Sequence, residues 1–182
     1  MLTSTREFLI KEKLFSLNER MEILDPRSQA VLGYFHSKFF TLPKKYWLTH
    51  ADEQPIIGIE RRMFTLMTKF NFFEAGSQET LSMNRLLGSL EKQFNFFTPK
   101  YYFKTPNGNV IYEIQGNFWE RNFQVIYNGM IVAEISKKFW SWTDTYGIRI
   151  DPEINDEEAM IILTMVVVLD YIADQRRNNH HY

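Results

Sequence analysis

Near the C-terminus, the eleven residues from Ala159 to Leu169 are apolar except for Thr164. Wound as a helix they present apolar groups on every side, and a helix of that kind has to be surrounded by protein. It would rise about 16 Å, half of a bilayer core. Asp156, Glu157 and Glu158 open it, and Asp170 and Asp174 close it. Length and flanking acids argue against a membrane span and for a buried core helix. Asn155 can cap it with Glu158 at the third helical position, placing acids at the positive end of the helix dipole.

The rest of the chain has to supply the surroundings, and it reads as short strands. Residues 7–15, 20–25, 30–36, 45–50, 55–61, 69–74, 81–88, 100–104, 109–115, 122–127, 130–137 and 145–150 alternate in polarity or run aromatic and β-branched. Turn signals separate them, of which Asn128-Gly129 between FQVIY and MIVAEI is the strongest hairpin sign. A basic or polar group followed by an aromatic recurs six times, ending at Phe15, Phe39, Phe64, Phe94, Phe118 and Phe139, 24, 25, 30, 24 and 21 residues apart. A longer period overlays it. At an offset of 76, Ile59 falls on Ile135, Arg61 on Lys137 and Arg62 on Lys138; at 79, EKLF from Glu12 falls on EKQF from Glu91. The strands therefore form two six-strand halves.

Twelve strands and one wholly apolar helix predict a mainly β fold: a closed, antiparallel, twelve-stranded barrel with the C-terminal helix through its lumen. An eight-stranded barrel fills itself with side chains, whereas a larger one leaves a space that something must occupy. Gly33, Gly58, Gly88 and Ala133 are expected to give the helix room. Closure also removes exposed strand edges. At 182 residues, all of it fits a single domain spanning 1–182.

Composition bounds the function. Lys+Arg 21 against Asp+Glu 22 leaves −1, which excludes the large electrostatic footprint of a nucleic-acid binder. Zero Cys excludes a disulfide scaffold, thiol catalysis and Cys-ligated zinc. No basic, then apolar, leader opens the chain, so a cytoplasmic location is expected.

The segment IVAEISKKFWSWTDTYGIRID, the helix MIILTMVVVLDYIAD and the tail QRRNNHH together resemble the LURP-one-related proteins. FLIKEKLFSLNERMEILDPRS and FHSKFFTLPKKYWLTHADEQPI match that family's opening hairpins, and the resemblance covers nearly the whole chain. It implies the tubby C-terminal-like fold, a twelve-stranded barrel around a hydrophobic C-terminal helix. Relatives sharing that fold include phosphoinositide-binding tubby proteins and phospholipid scramblases.

Nothing in the sequence argues for an enzyme. His36, His50, His180 and His181 lack spaced carboxylate partners, and no HExxH, GxGxxG, P-loop or nucleophile-elbow pattern occurs. No cofactor or metal site is expected. The acidic run from Asp144 to Glu158 fails as an EF-hand loop begun at Asp151, because Asp156 stands where Gly is needed and Ile162 where the bidentate Glu belongs. Helix capping accounts for those acids more simply.

The basic pairs carry the sharper expectation. Arg61-Arg62 and Lys137-Lys138 hold equivalent places in the two halves, and strand alternation turns one member of each pair outward. With Trp140 and Trp142 nearby in sequence, they are candidates to engage anionic phospholipid headgroups at a membrane surface. The simpler account is that such residues only solvate the outer face, and the net charge of −1 favours it. The expected function is a non-enzymatic binding or scaffold module for a phospholipid headgroup or a protein partner, cytoplasmic and peripheral to the membrane when it engages lipid. The alternative is a carrier of a small apolar ligand inside the barrel.

Overall fold

A computed structural model describes residues 1–12, 20–37, 43–62, 68–76, 83–93, 100–117, 120–136 and 145–179, in backbone alone at 12, 83–84 and 172–179. After a short 3-10 turn at Leu2–Ser4 come β1 (Glu7–Glu12), β2 (Arg20–Leu24), β3 (Val31–Ser37), β4 (Lys45–His50), β5 (Pro55–Arg61) and β6 (Lys69–Ala75). The second half holds β7 (Met83–Gln93), β8 (Lys100–Lys104), β9 (Val110–Asn117), β10 (Asn122–Tyr127), β11 (Met130–Ser136) and β12 (Thr145–Ile150), followed by α1 (Asp156–Asn179). Each strand pairs antiparallel with its neighbours in sequence, and β1 closes on β12. The starts of matching strands in the two halves differ by 75 to 80 residues, so the repeat read from sequence is a repeat of structure.

Register separates the two faces. Phe8 sits opposite Ile148 and Ile10 opposite Tyr146, while Phe123 pairs with Ile135 and Val125 with Ile114. All of these are buried and belong to one core that also contains Ala159–Leu163 and Met165–Leu169 of α1. The helix therefore runs through the lumen. Each fully buried Val, Leu or Ile there is worth on the order of 1.5–3 kcal/mol relative to exposure. Thr164, the one polar residue of the run, donates its hydroxyl to the Met160 carbonyl at 2.6 Å, so no donor is stranded.

Local chemistry matches the sequence at the ends of the helix and of the hairpins. The Asn155 side chain accepts from the Glu158 backbone N–H at 2.9 Å and donates to the Glu158 carboxylate at 3.0 Å, which makes the expected cap. Asn128 and Gly129 take φ of 48° and 79°, the double left-handed turn of a two-residue hairpin. Gly33 and Gly88 make room for neighbours other than the one expected. A Cβ on Gly33 would meet the Leu2 side chain at 2.6 Å, and one on Gly88 would meet the Phe103 ring at 2.6 Å. Leu2 and Phe103 take that space; α1 does not.

α1 gives the barrel two distinct rims. At the N-rim, where the helix enters, lie the turns 25–30, 51–54, 105–109, 128–129 and the 151–155 approach. There Arg6 donates to the Ile154 carbonyl at 2.9 Å and to Asp156 at 2.6 Å. The C-rim, where the helix leaves, is formed by the other ends of the same strands. Among the described residues no helix is long and apolar enough to cross a membrane.

Candidate functional site: a cationic arc on the C-rim

β4, β5, β6 and β7 are neighbours in the barrel, and each brings a basic residue to the C-rim. Backbone bonds hold these residues side by side: Arg61 N–H to the Lys44 carbonyl at 2.9 Å, Arg62 N–H to the Lys69 carbonyl at 2.9 Å, and Lys92 N–H to the Thr68 carbonyl at 3.1 Å. Lys44, Lys45, Arg61, Arg62, Lys69 and Lys92 thus follow one another around a third of the ring, with Glu60 and Glu91 as the acids among them.

Register assigns their directions. Arg61 lies opposite buried Phe70 and so faces the barrel mouth, leaving Arg62 to the outer face. One member of the pair points outward, as alternation predicts. Lys69, opposite Glu91, is on the outer face as well.

Three of the six are committed to contacts inside the protein. Lys44 donates to the Tyr171 hydroxyl at 2.7 Å, and the Tyr171 ring meets Tyr46 edge-on at 5.1 Å, which fixes the helix where it emerges. Lys69 and Lys104 both bind the Glu91 carboxylate, at 2.5 and 2.6 Å. Burial pushes that carboxyl upward, yet hydrogen bonds from Lys104 and Lys69 overcome it and hold the pKa at about 2. Lys92 is half-buried and has contacts of its own. Lys45, Arg61 and Arg62 form no ion pair with any described residue, and both arginines are exposed. Each guanidinium group, with five N–H donors, is suited to phosphate oxygens.

The other expected site residues, Lys137, Lys138, Trp140 and Trp142, lie outside the described residues. β11, which Lys137 follows in sequence, stands six strands from β5 in a ring of twelve. The strand ends leading to the two basic pairs are therefore across the barrel from each other. Of the histidines, His36 stacks on Trp47 with ring centroids 6.3 Å apart. His50 is half-buried, and its desolvation, opposed by Asp52, lowers its pKa. In the acidic stretch, Asp151 accepts from the Glu153 N–H at 2.9 Å, Asp156 pairs with Arg6, and Glu158 completes the helix cap.

Residues 6–170 match the family described as LURP-one-related. The chain belongs to that family. The chain is also similar to the Bacillus subtilis (strain 168) protein described as "Uncharacterized protein YxjI", 25% identical over 169 residues that cover 91% of this chain and 93% of its own. A solved X-ray structure of a protein from Arabidopsis thaliana superimposes with a TM-score of 0.63 at 16% identity, covering 91% of both chains. That likeness supports the tubby-like architecture, a closed barrel around a central helix. None of these relatives carries an enzymatic name.

One element of this LURP-one-related barrel was not foreseen from sequence. The Arg121 guanidinium binds the Asp170 carboxylate with side chains 3% and 0% exposed, and it lies over the Tyr146 ring at 5.2 Å. Arg121 adopts a φ of 50° to do so. The pair ties the connection between β9 and β10 to the end of the apolar run of α1. Sequence could have flagged Asp170 as the carboxylate abutting the C-terminal end of that run, but its partner lies 49 residues away.

Proposed function

We propose that this protein is a non-enzymatic binding module that engages the phosphate of anionic phospholipid headgroups through the cationic arc of β4–β7, from the cytoplasmic side and peripherally. The observation that carries this reading is the adjacency of Arg61 and Arg62, exposed and without ion pairs among the described residues, to Lys44, Lys45, Lys69 and Lys92 on one rim. Fixed strand ends present these cations without a further cost of ordering a loop. Lys137, Lys138, Trp140 and Trp142 would add a second contact.

The carrier alternative has less support, because among the described residues α1 and the inward side chains form one continuous core. The surface depression lined by Lys100, Gln115, Gly116, Asn117, Asn122, Phe123 and Gln124 opens to solvent. Sedimentation with vesicles tests the proposal. Binding is expected to vesicles containing anionic lipid and not to purely zwitterionic ones, to weaken with salt, and to fall at least tenfold in Arg61→Glu plus Arg62→Glu. Equal binding to both vesicle types, or binding indifferent to that double substitution, removes the arc as a lipid site. Retention of a protein partner by a vesicle-negative protein would favour the scaffold reading instead.

A further inference from the structure

The β10–β11 hairpin stands proud of its neighbour β12 at the N-rim. β11 pairs with β12 from Ser136 opposite Gly147 to Ala133 opposite Ile150. Beyond that point Asp151 donates its N–H to the Val132 carbonyl at 2.9 Å, and Pro152, which has no N–H, carries the chain away toward α1. A register shift between Val125 and Ile126 adds a residue to β11 at the same level and bends the strand. Met130 and Ile131 have no register partner on β12.

Two features result. The tip is a knob: Met130 is 64% exposed and Ile131 48%, and Tyr127, opposite Met130, is exposed as well. Beside it, on the β12 side, is a hollow of about 340 Å³ whose apolar walls are Ile131, Val132, Ala133, Ile150 and Pro152. Large apolar groups gathered in the open at one place mark a contact surface.

One chain supplies both halves of such a contact. A two-fold dimer needs a surface that fits itself, residue i of one copy meeting residue j of the other and j meeting i. A knob next to a hollow meets that condition, with Met130 of each copy entering the hollow of the other. Charge does not oppose it. The charged groups nearby are of both signs and already engaged: Lys104 with Glu91, Arg149 with Glu7, and Asp151 with the Glu153 N–H at 2.9 Å. A partner of single charge is therefore not called for, whereas two identical faces each bring cations and acids. We infer that the protein forms a closed two-fold dimer through the β10–β11 tip, Met130 of one copy seated in the hollow beside Ile131 of the second. The contact lies on the rim opposite the cationic arc, so it leaves the lipid reading untouched.

Sedimentation velocity and light scattering test this. A contact of hairpin size is at the small end of specific interfaces, so the copies exchange and the mean mass depends on concentration. It should rise from the 21.8 kDa of one chain and level off at twice that value. Because apolar burial carries the contact, association should be no weaker at about 1 M salt than at about 0.1 M. Met130→Asp, a change at an exposed position, should stay monomeric. The chain has no Cys, which permits a direct test of reciprocity. Under mild oxidation an equimolar mixture of Met130→Cys and Arg149→Cys should form a disulfide-linked pair faster than either variant alone. A wild type that is monomeric throughout, including one whose tip instead captures a different protein, overturns the inference. So does a mass that grows past the dimer, a dimer indifferent to Met130→Asp, or a mixture that links no faster than its components. Arg61→Glu plus Arg62→Glu should dimerise like the wild type, and Met130→Asp should bind anionic vesicles like the wild type. Failure of this inference and failure of the lipid reading are thereby told apart.

Discussion

Replacing Asp170 by Ala should be among the most damaging single changes to this barrel. The substitution removes the carboxylate that binds Arg121 where both side chains are almost fully buried. The guanidinium would then keep its charge with only the Tyr146 face and its remaining contacts to offset the loss of water. Removing one partner of a buried pair typically costs about 3–5 kcal/mol, a fifth or more of the roughly 5–15 kcal/mol that holds an ordinary domain together. Because α1 leaves the lumen at this point, the loss should also loosen the fit of the helix end. Replacing both partners is a different perturbation. Arg121→Met with Asp170→Leu leaves no stranded charge, and apolar replacements of buried pairs are often near neutral. Urea unfolding of wild type, Arg121→Met, Asp170→Leu and the double variant closes a thermodynamic cycle, with Asp170→Ala measured beside it. The expected result is a coupling energy of about 2 kcal/mol or more, with the double variant more stable than Asp170→Ala alone. Should Asp170→Ala cost under about 1 kcal/mol, or the two changes simply add, the pair is not the clamp its burial implies.

Three further outcomes follow from local geometry. Glu91, ordinarily 4.5 and held at about 2, stays charged in the folded chain after the unfolded chain has taken up its proton. Its contribution is therefore complete above pH 4.5 and lost as pH falls through about 2, so Glu91→Gln should flatten acid unfolding in that window by about 1 kcal/mol once solvent screening is allowed for. A Cβ at Gly88 would lie 2.4 Å from the Lys104 carbonyl oxygen and 2.6 Å from the Phe103 ring, so Gly88→Ala should cost about 1–3 kcal/mol by overpacking, read as a lower urea midpoint. Asn155→Ala should lower stability by about 0.5–2 kcal/mol through loss of the helix cap, and Asn155→Asp should restore most of it.

The fold was legible because its two determinants are local. Polarity alternation located all twelve strands, and an apolar run with acids at both ends located the helix. β7 shows where pattern stops being enough. Its sequence reading ends at residue 88, but the strand continues to Gln93 because Glu91 pairs with Lys69 on one side and Tyr102 on the other. Pairing on both sides extends a strand that its own polar residues would not. The clamp between Arg121 and Asp170 and the seat of Leu2 against Gly33 were illegible for the same reason, each joining residues remote in sequence.

The cationic arc is a more instructive case, since its signal was present and was cancelled by summation. In an antiparallel barrel, odd strands run toward one rim and even strands start from it. A basic residue at the end of an odd strand and one at the start of an even strand therefore share a rim. Lys11, Arg61 and Lys92 stand near the ends of β1, β5 and β7; Arg20, Lys45, Lys69 and Lys100 open β2, β4, β6 and β8. The acids collect at the opposite junctions, as with Asp25, Asp52, Glu53, Glu74 and Asp151. A net charge of −1 would count against an anionic surface only if the charge were evenly spread. The strand order shows that it is not, and an anionic surface approaching along the axis meets one rim, never the sum of both.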